Sequence, residues 1–379
     1  MRDKLLFIIL LLTTQITFGQ HVDGHYHGRA IEFPDIPGYQ TLIADLHTHT
    51  VFSDGEVWPS IRVQEAIRDG LDVISITDHI EYQPHRADIP HPDRNRSYEI
   101  ALQTARGSDL IVIRGAEVTR NMPPGHANAL FLEDVNKLNI KDSIAAFQEA
   151  RKQGAFIFWN HPNWEAQKPD GMAELTSLHK QLIKEGLLNG IEVVNDVTYS
   201  EEALQIALDH DLTIMGTSDI HGLVDWQFDV PGGGHRPVTL VFVAERSPEG
   251  VKEALFNKQT VVFFNDMLVG RKEFVEPLIR ECLTVDSVSY GETWAGPDSI
   301  ATCYLRNDSD FPLILKNTGS YTFHNYGELV TIEPGSICEL KVKTLERLGQ
   351  FSLRFEVLNA VIAPGVNPEL IVECETGKP

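Results

Sequence analysis

From about residue 41 to residue 265, short β-type apolar runs alternate with longer stretches whose apolar residues recur at helical spacing. The runs are Leu42-Ile43-Ala44, Val73-Ile74-Ser75-Ile76, Leu110-Ile111-Val112-Ile113, Ala155-Phe156-Ile157-Phe158 and Leu212-Thr213-Ile214-Met215. The helical stretches cover 60–69, 143–153, 171–185 and 201–209, and Gly70, Gly154 and Gly186 stop three of them. Such alternation predicts βα units, and a closed parallel barrel built from them gathers its strand ends on one rim. After about residue 273 the pattern changes. Seven short strands are expected at 283–290, 301–306, 313–316, 329–332, 337–342, 351–358 and 370–374, separated by turn signals such as Asn-Asp-Ser-Asp, Glu-Pro-Gly and Ala-Pro-Gly. They predict a small all-β sandwich-like domain. The expected layout is a leader over 1–19, an extension over 20–40, an α/β barrel over 41–272 and the sandwich over 273–379.

Charge narrows the partners. The 379 residues hold 54 Asp and Glu against 32 Lys and Arg, a formal net charge of −22. Nucleic-acid binding depends on clustered cations that displace counterions, so no nucleic-acid partner is expected. Part of the negative charge belongs to a site where divalent cations would offset it. At the start of the chain, Arg2 and Lys4 flank an apolar run over residues 5–12, the pattern of an export signal cleaved near Gly19. The run is far shorter than the roughly 20 apolar residues that span a bilayer, so the mature chain is expected to be exported, periplasmic or extracellular, with no transmembrane segment. His21, His25 and His27 would then sit in a mobile tail. Cys282, Cys303, Cys338 and Cys374 all lie in the sandwich region or at its edge, and they are compatible with disulfides or with buried thiols.

Nine residues at expected strand ends could ligate metal: His47, His49, Asp54, His79, Glu117, His126, His161, Asp219 and His221. A single His-x-His pair such as His47 and His49 is weak evidence, but a barrel rim could gather the whole series. Mixed imidazole and carboxylate ligation suits zinc, manganese or iron. Two cations sharing a carboxylate lower the pKa of a bridging water, and a third can help bind phosphate oxygens, so the reaction expected is hydrolysis of a small-molecule phosphate ester.

With these motifs in place (Leu-His-Thr-His, Phe-Ser-Asp-Gly, Thr-Asp-His, Arg-Gly-Ala-Glu, Pro-Gly-His, Asn-His-Pro and Ser-Asp-Ile-His), the chain resembles the PHP family, named for polymerase and histidinol phosphatase. The resemblance implies a distorted (β/α)7 barrel and three metal ions. It implies that His47, His49, Glu117 and Asp219 hold the first ion, that Glu117 bridges to a second held by His126 and His161, and that Asp54, His79 and His221 hold the third. Asp54 stands where some relatives have His. Similarity to exported members with an extra β domain favours phosphodiesters over monoesters. Glu117, Asp219 and His221 are the expected catalytic groups, Glu117 as the bridge and the other two as candidates for assisting the leaving group.

Asp45 and Asp78 could orient ligand imidazoles, or cap the helices that follow. For the substrate, Arg86, Arg94, Arg96, Arg120 and Arg236 are candidate phosphate clamps, and Trp58, Trp164 and Trp226 could wall an organic group. The rival readings are a histidinol-phosphatase type monoesterase, a nuclease, an amidohydrolase and a non-catalytic binding protein. An amidohydrolase typically uses a modified Lys where this chain has Glu117.

Overall fold

A computed structural model describes residues 29–293 and 296–377. The expected leader and its histidine-rich sequel, His21, His25 and His27, lie outside the described residues. The first part of the chain forms one curled mixed sheet with helices packed on it, and separate small all-β sheets follow. No helix among the described residues is long and apolar enough to cross a membrane.

The curl runs through β1 (Gln40–Asp45), β2 (Val73–Ile76), β3 (Ile111–Val118), β4 (Ala127–Leu130), β5 (Phe156–Trp159), β6 (Gly190–Asn195), the short β7 (Thr198–Tyr199) and β8 (Thr213–Thr217). Neighbours β1 and β2, β2 and β3, β5 and β6, and β6 and β8 pair in parallel. The sheet is not wholly parallel. β4 runs antiparallel to both β3 and β5, and its sequence Ala-Asn-Ala-Leu lacks the β-branched residues that mark strands. On the other side, β9 (Val238–Val243), β10 (Thr260–Phe264) and β11 (Met267–Gly270) extend β1 as an antiparallel meander.

The two arms of the curl meet at β8. Its extension pairs with that of β1 through a Thr48–Ile220 bridge, in which the His49 amide donates to the Ile220 carbonyl and the Asp219 amide to the His47 carbonyl, both at 3.0 Å. Lower down, the Thr239 hydroxyl of β9 exchanges hydrogen bonds with Gly216 at 2.7 and 3.0 Å. Gly216 is required there, because a Cβ would lie 2.2 Å from Cγ1 of Val262. Inside the curl, Leu42, Leu46, Val73, Ile113, Phe158 and Met215 share one buried cluster with Val251, Ala254 and Leu255 of the helix Pro248–Phe256.

The helix Lys272–Cys282 leads without a linker into the β region, packing Val275, Leu278 and Ile279 in a buried cluster continuous with the sandwich core. The strands there are β12 (Leu283–Thr293), β13 (Gly296–Asn307), β14 (Leu313–Asn317), β15 (Thr322–Phe323), β16 (Leu329–Ile332), β17 (Ile337–Lys343), β18 (Gln350–Val357), β19 (Ala360–Val361) and β20 (Glu369–Glu375). They form two sheets, in the orders β12-β13-β17-β15 and β16-β14-β18-β20. β19 belongs to neither. It leaves the sandwich and pairs in parallel with β11, Leu268 opposite Ala360 and Val269 opposite Val361. All four cysteines are buried free thiols.

Candidate metal centre

Eight of the nine expected ligand residues end or follow a strand, and the ninth shows why the antiparallel strand matters. His126 precedes β4, and because β4 points the opposite way, its beginning lies on the rim where the parallel strands end. The structure brings all nine side chains together there. His47, His49, Glu117, His126 and His161 are buried, and His221 is the most open, with 37% of its side chain exposed.

Three overlapping groups of donor atoms stand within reach of a common ion. In the first, His47 Nε2, His49 Nε2 and Asp219 Oδ1 are 3.0–3.1 Å apart, with Glu117 Oε2 at 3.3 Å from each imidazole. In the second, Glu117 meets His126 Nδ1 at 2.6 Å through Oε1 and His79 Nδ1 at 3.2 Å through Oε2. In the third, Asp54 lies 3.3 Å from His221 Nε2 and 3.4 Å from His79 Nε2, with the His49 ring packed beside them, 3.6 Å away at Nδ1. His161 stands slightly apart, its Nε2 3.8 Å from Glu117 Oε1 and 3.9 Å from Asp219 Oδ2.

These residues fit divalent cations. Ligands at about 2.1 Å from one ion are about 3.0–3.4 Å from each other, which is the spacing seen throughout the first group and at most contacts of the other two. Asp54 Oδ1, Glu117 Oε1 and His126 Nδ1 are buried and, despite their close neighbours, none makes an aligned hydrogen bond, a costly state unless a shared cation satisfies them. Two imidazole nitrogens facing each other at 3.0 Å, as in His47 and His49, also call for a cation between them.

Hydrogen bonds fix which nitrogen His47, His49 and His221 present. His221 Nδ1 lies 2.8 Å from the Asp219 carbonyl, which can only accept, so Nε2 carries the lone pair. The same logic runs through His49: Ser53 donates to Asp78 at 2.7 Å, which leaves its oxygen to accept from His49 Nδ1 at 3.3 Å. Asp78 thus orients an imidazole through Ser53, and it also accepts from the Thr50 amide. His79 Nδ1 meets the Thr119 hydroxyl at 2.7 Å. Asp45 touches no imidazole. It accepts from Ser218 and Arg236 and so supports the Asp219 loop from below.

Sequence reasoning missed the most connected supporting group, Glu192. Its carboxylate accepts from His47 Nδ1 at 2.8 Å, the His161 amide at 2.6 Å, the Thr217 hydroxyl at 2.6 Å and Asn195 Nδ2 at 2.9 Å. Asn195 also reaches Asp219 Oδ2 at 3.3 Å. The signal was a lone carboxylate in the apolar strand Gly-Ile-Glu-Val-Val-Asn, since a fully buried charge needs partners. Glu192 and the barrel closure also hold strain, because His161 (φ 28°) and Asp219 (φ 50°) take left-handed backbone conformations that cost non-glycine residues energy.

The clustering perturbs protonation. Burial would lower the pKa of His49, but Asp219 and Glu117 more than offset it and raise the group to about 9. His47 is raised well above its usual value against the same burial, by Asp219, Glu192 and Glu117, and His161 is raised by Glu117 and Asp219. Burial would raise Glu117 and Asp219, yet the surrounding histidines hold both carboxylates below their usual range, and Asp54 behaves likewise beside His221 and His79.

The arginine expectations need correction. Arg236 is buried and ion-paired with Asp45 at 3.2 Å and Asp69 at 2.6 Å, so it is a structural strut. Arg120 is held by Glu81, Arg96 pairs with Glu99 on the surface, and Arg86 is exposed on its loop. Arg94 donates to the His91 carbonyl and lines a water-sized chamber behind His79. None of the five lines the open cleft above the metal-ligand candidates. That cleft, of about 820 Å³, has no Lys or Arg among its described lining residues. Trp164 does line it, with ring centroids 5.2 Å from His161 and 5.5 Å from His126. Trp58 instead stacks on Phe52, and Trp226 borders a separate groove beside Ile61.

Comparison with known proteins agrees with this anatomy. Residues 45–212 match the PHP domain family, and residues 283–373 match a family of Ig-like domains. The crystal structure of a two-domain protein from Bacteroides vulgatus, described as containing a predicted PHP-like metal-dependent phosphoesterase, is 42% identical. It superposes with a TM-score of 0.84 over 91% of this chain and 98% of that one. A solved structure from Bifidobacterium adolescentis has 18% identity and a TM-score of 0.37, covering 47% of this chain and 87% of that one. Among curated proteins, an uncharacterized protein of Methanocaldococcus jannaschii is 38% identical over 82 residues. That stretch is 21% of this chain and about a third (34%) of the archaeal protein's length.

Proposed function

The chain belongs to the PHP family, and from that premise we propose that it is a metal-dependent phosphoesterase that hydrolyses phosphodiesters in preference to monoesters. The observation that carries the reading is the meeting of nine imidazole and carboxylate side chains, seven of which line a cleft with no Lys or Arg among its described lining residues. A monoester dianion brings an extra charged oxygen, which arginine would be expected to clamp bidentately, whereas a diester monoanion needs less countercharge and more room. The cleft supplies room.

Divalent cations held here, zinc, manganese or iron in up to three positions, would supply an activated water and offset charge on the phosphate. The protein's own part is orientation. Glu117 presents Oε2 to His47 and His49 and Oε1 to His126, and is the natural bridge. Glu192 and the Ser53–Asp78 pair hold His47 and His49 with Nε2 directed at the floor. Since His221 Nδ1–H is engaged by a backbone carbonyl, its Nε2 serves as a ligand rather than as a proton donor to the leaving group. Asp219, shared between His47 and His49, is likewise placed for ligation. The leader-like first residues support an exported location.

Matched panels of aryl phosphate monoesters and diesters, given to protein reconstituted with each metal, test this reading. We expect kcat/KM for diesters to exceed that for monoesters by about tenfold or more, a difference of about 1.4 kcal/mol in transition-state stabilisation. Faster monoester cleavage would replace it with the monoesterase reading.

A further inference from the structure

The upper walls of the cleft say more about the substrate than its metal-ligand floor. Trp164 is 45% exposed and presents a ring to the cleft beside His126 and His161. Near it stand two carboxylates, the exposed Glu165 and the half-buried Asp196. Apart from the metal-ligand candidates, the remaining polar side chains of the described lining are neutral: Asn163, Asn195, Thr198, Tyr199 and Gln227. Lys168, a few residues along the same loop, is turned to Asp170 at 3.2 Å and Glu174 at 3.0 Å and does not line the cleft. Asp196 is fixed in place, accepting from Gln227 Nε2 at 2.6 Å.

The volume of about 820 Å³ far exceeds one phosphate group, so most of the cleft surrounds the organic part of the substrate. A second anionic group on these upper walls, away from the metal-ligand floor, would face Glu165 and Asp196 with no Lys or Arg among the described lining residues to receive it, within a protein of net charge −22. A cationic group would meet two carboxylates and an indole face, both attractive to positive charge.

We propose, resting on the diesterase reading, that the substrate carries its only negative charge on the scissile phosphate. Its second organic group is a neutral or cationic alcohol, seated between Trp164 and the carboxylates of Glu165 and Asp196. Cationic amino alcohols bind best, and groups bearing a carboxylate or a further phosphate are rejected.

Three p-nitrophenyl phosphodiesters of equal length test this, with choline, its uncharged carbon isostere, or a carboxyalkyl alcohol as the second group. The leaving group is constant, so differences report the distal group. The expected order of kcat/KM is cationic, neutral, anionic, with at least about a tenfold span carried mainly in KM and compressed by added salt. In the Glu165→Gln, Asp196→Asn double variant the span should shrink at least about threefold. Asn tolerates the left-handed backbone of Asp196 (φ 50°) and keeps an acceptor for Gln227, so the loop is preserved. Equal cleavage of the anionic and cationic esters overturns the inference and leaves the diesterase reading standing. A span unchanged in the double variant overturns the assignment to these carboxylates. Failure to cleave any of the three overturns both.

Discussion

Glu192 shows what a single side chain contributes without meeting the reacting atoms. It fixes the tautomer of His47, holds the strained amide of His161 and braces Asn195 against Asp219. Glu192→Gln removes the charge that favours the Nδ1–H form of His47 while keeping the shape, so metal affinity should fall about 10–100-fold with the fold intact. Chelator competition followed by metal analysis measures it, and unchanged affinity would show that Glu192 only fills space. Metal removal should also leave a pH signature. The pKa of His49 in the metal-free site is raised to about 9 from an ordinary 6.5. A raised folded-state value means that the imidazolium stabilises the fold below the ordinary pKa and that this contribution is lost as pH rises through 9. Chelator-treated protein should therefore lose Tm between pH 6.5 and 9 relative to metal-loaded protein, and parallel Tm curves for the two forms would refute it. The nine clustered residues were legible because histidines and carboxylates recur at the ends of apolar runs. Glu192 was not, because it sits inside such a run, and the buried place of Arg236 was not, because sequence does not show that Asp45 and Asp69 already claim it.

Among the elements, the five apolar runs that lead to ligand motifs were read as strands, whereas Gly190–Asn195, Val238–Val243 and Thr260–Phe264, which carry no ligand, and Ala127–Leu130, which lacks β-branched residues, were not, although the antiparallel course of the last is what turns His126 onto the rim. The β region reads well for a simple reason: it alternates buried and exposed residues, as in Glu369–Glu375, where every second side chain is buried. What the alternation could not reveal was β19, whose two residues pair outside the sandwich. The closure of the curl at Gly216 is equally invisible in a sequence pattern. Gly216→Ala should destabilise the protein by about 1–3 kcal/mol through overpacking against Val262. Adding Val262→Ala should recover a large part of that loss if the contact is its cause, as denaturant titration of the single and double variants would show. Additive losses would place the strain elsewhere.

For the molecule as a whole, the barrel and the sandwich share a continuous buried core, and no linker separates the helix Lys272–Cys282 from β12. Asn359 reinforces the join, its side chain donating to the carbonyls of Asp266 and Pro312 at 2.7 Å each. The full chain should accordingly unfold in one calorimetric transition, with matching van't Hoff and calorimetric enthalpies. Two resolved transitions would mean that the modules are energetically independent.

The β11–β19 pairing ties the sandwich to the barrel sheet at a second point, beyond the helix that joins them. A partner bound to that module would meet the cleft from a restricted set of directions. The molecule would work as a bracket, offering its hydrolytic mouth to whichever bonds lie within those lines of approach.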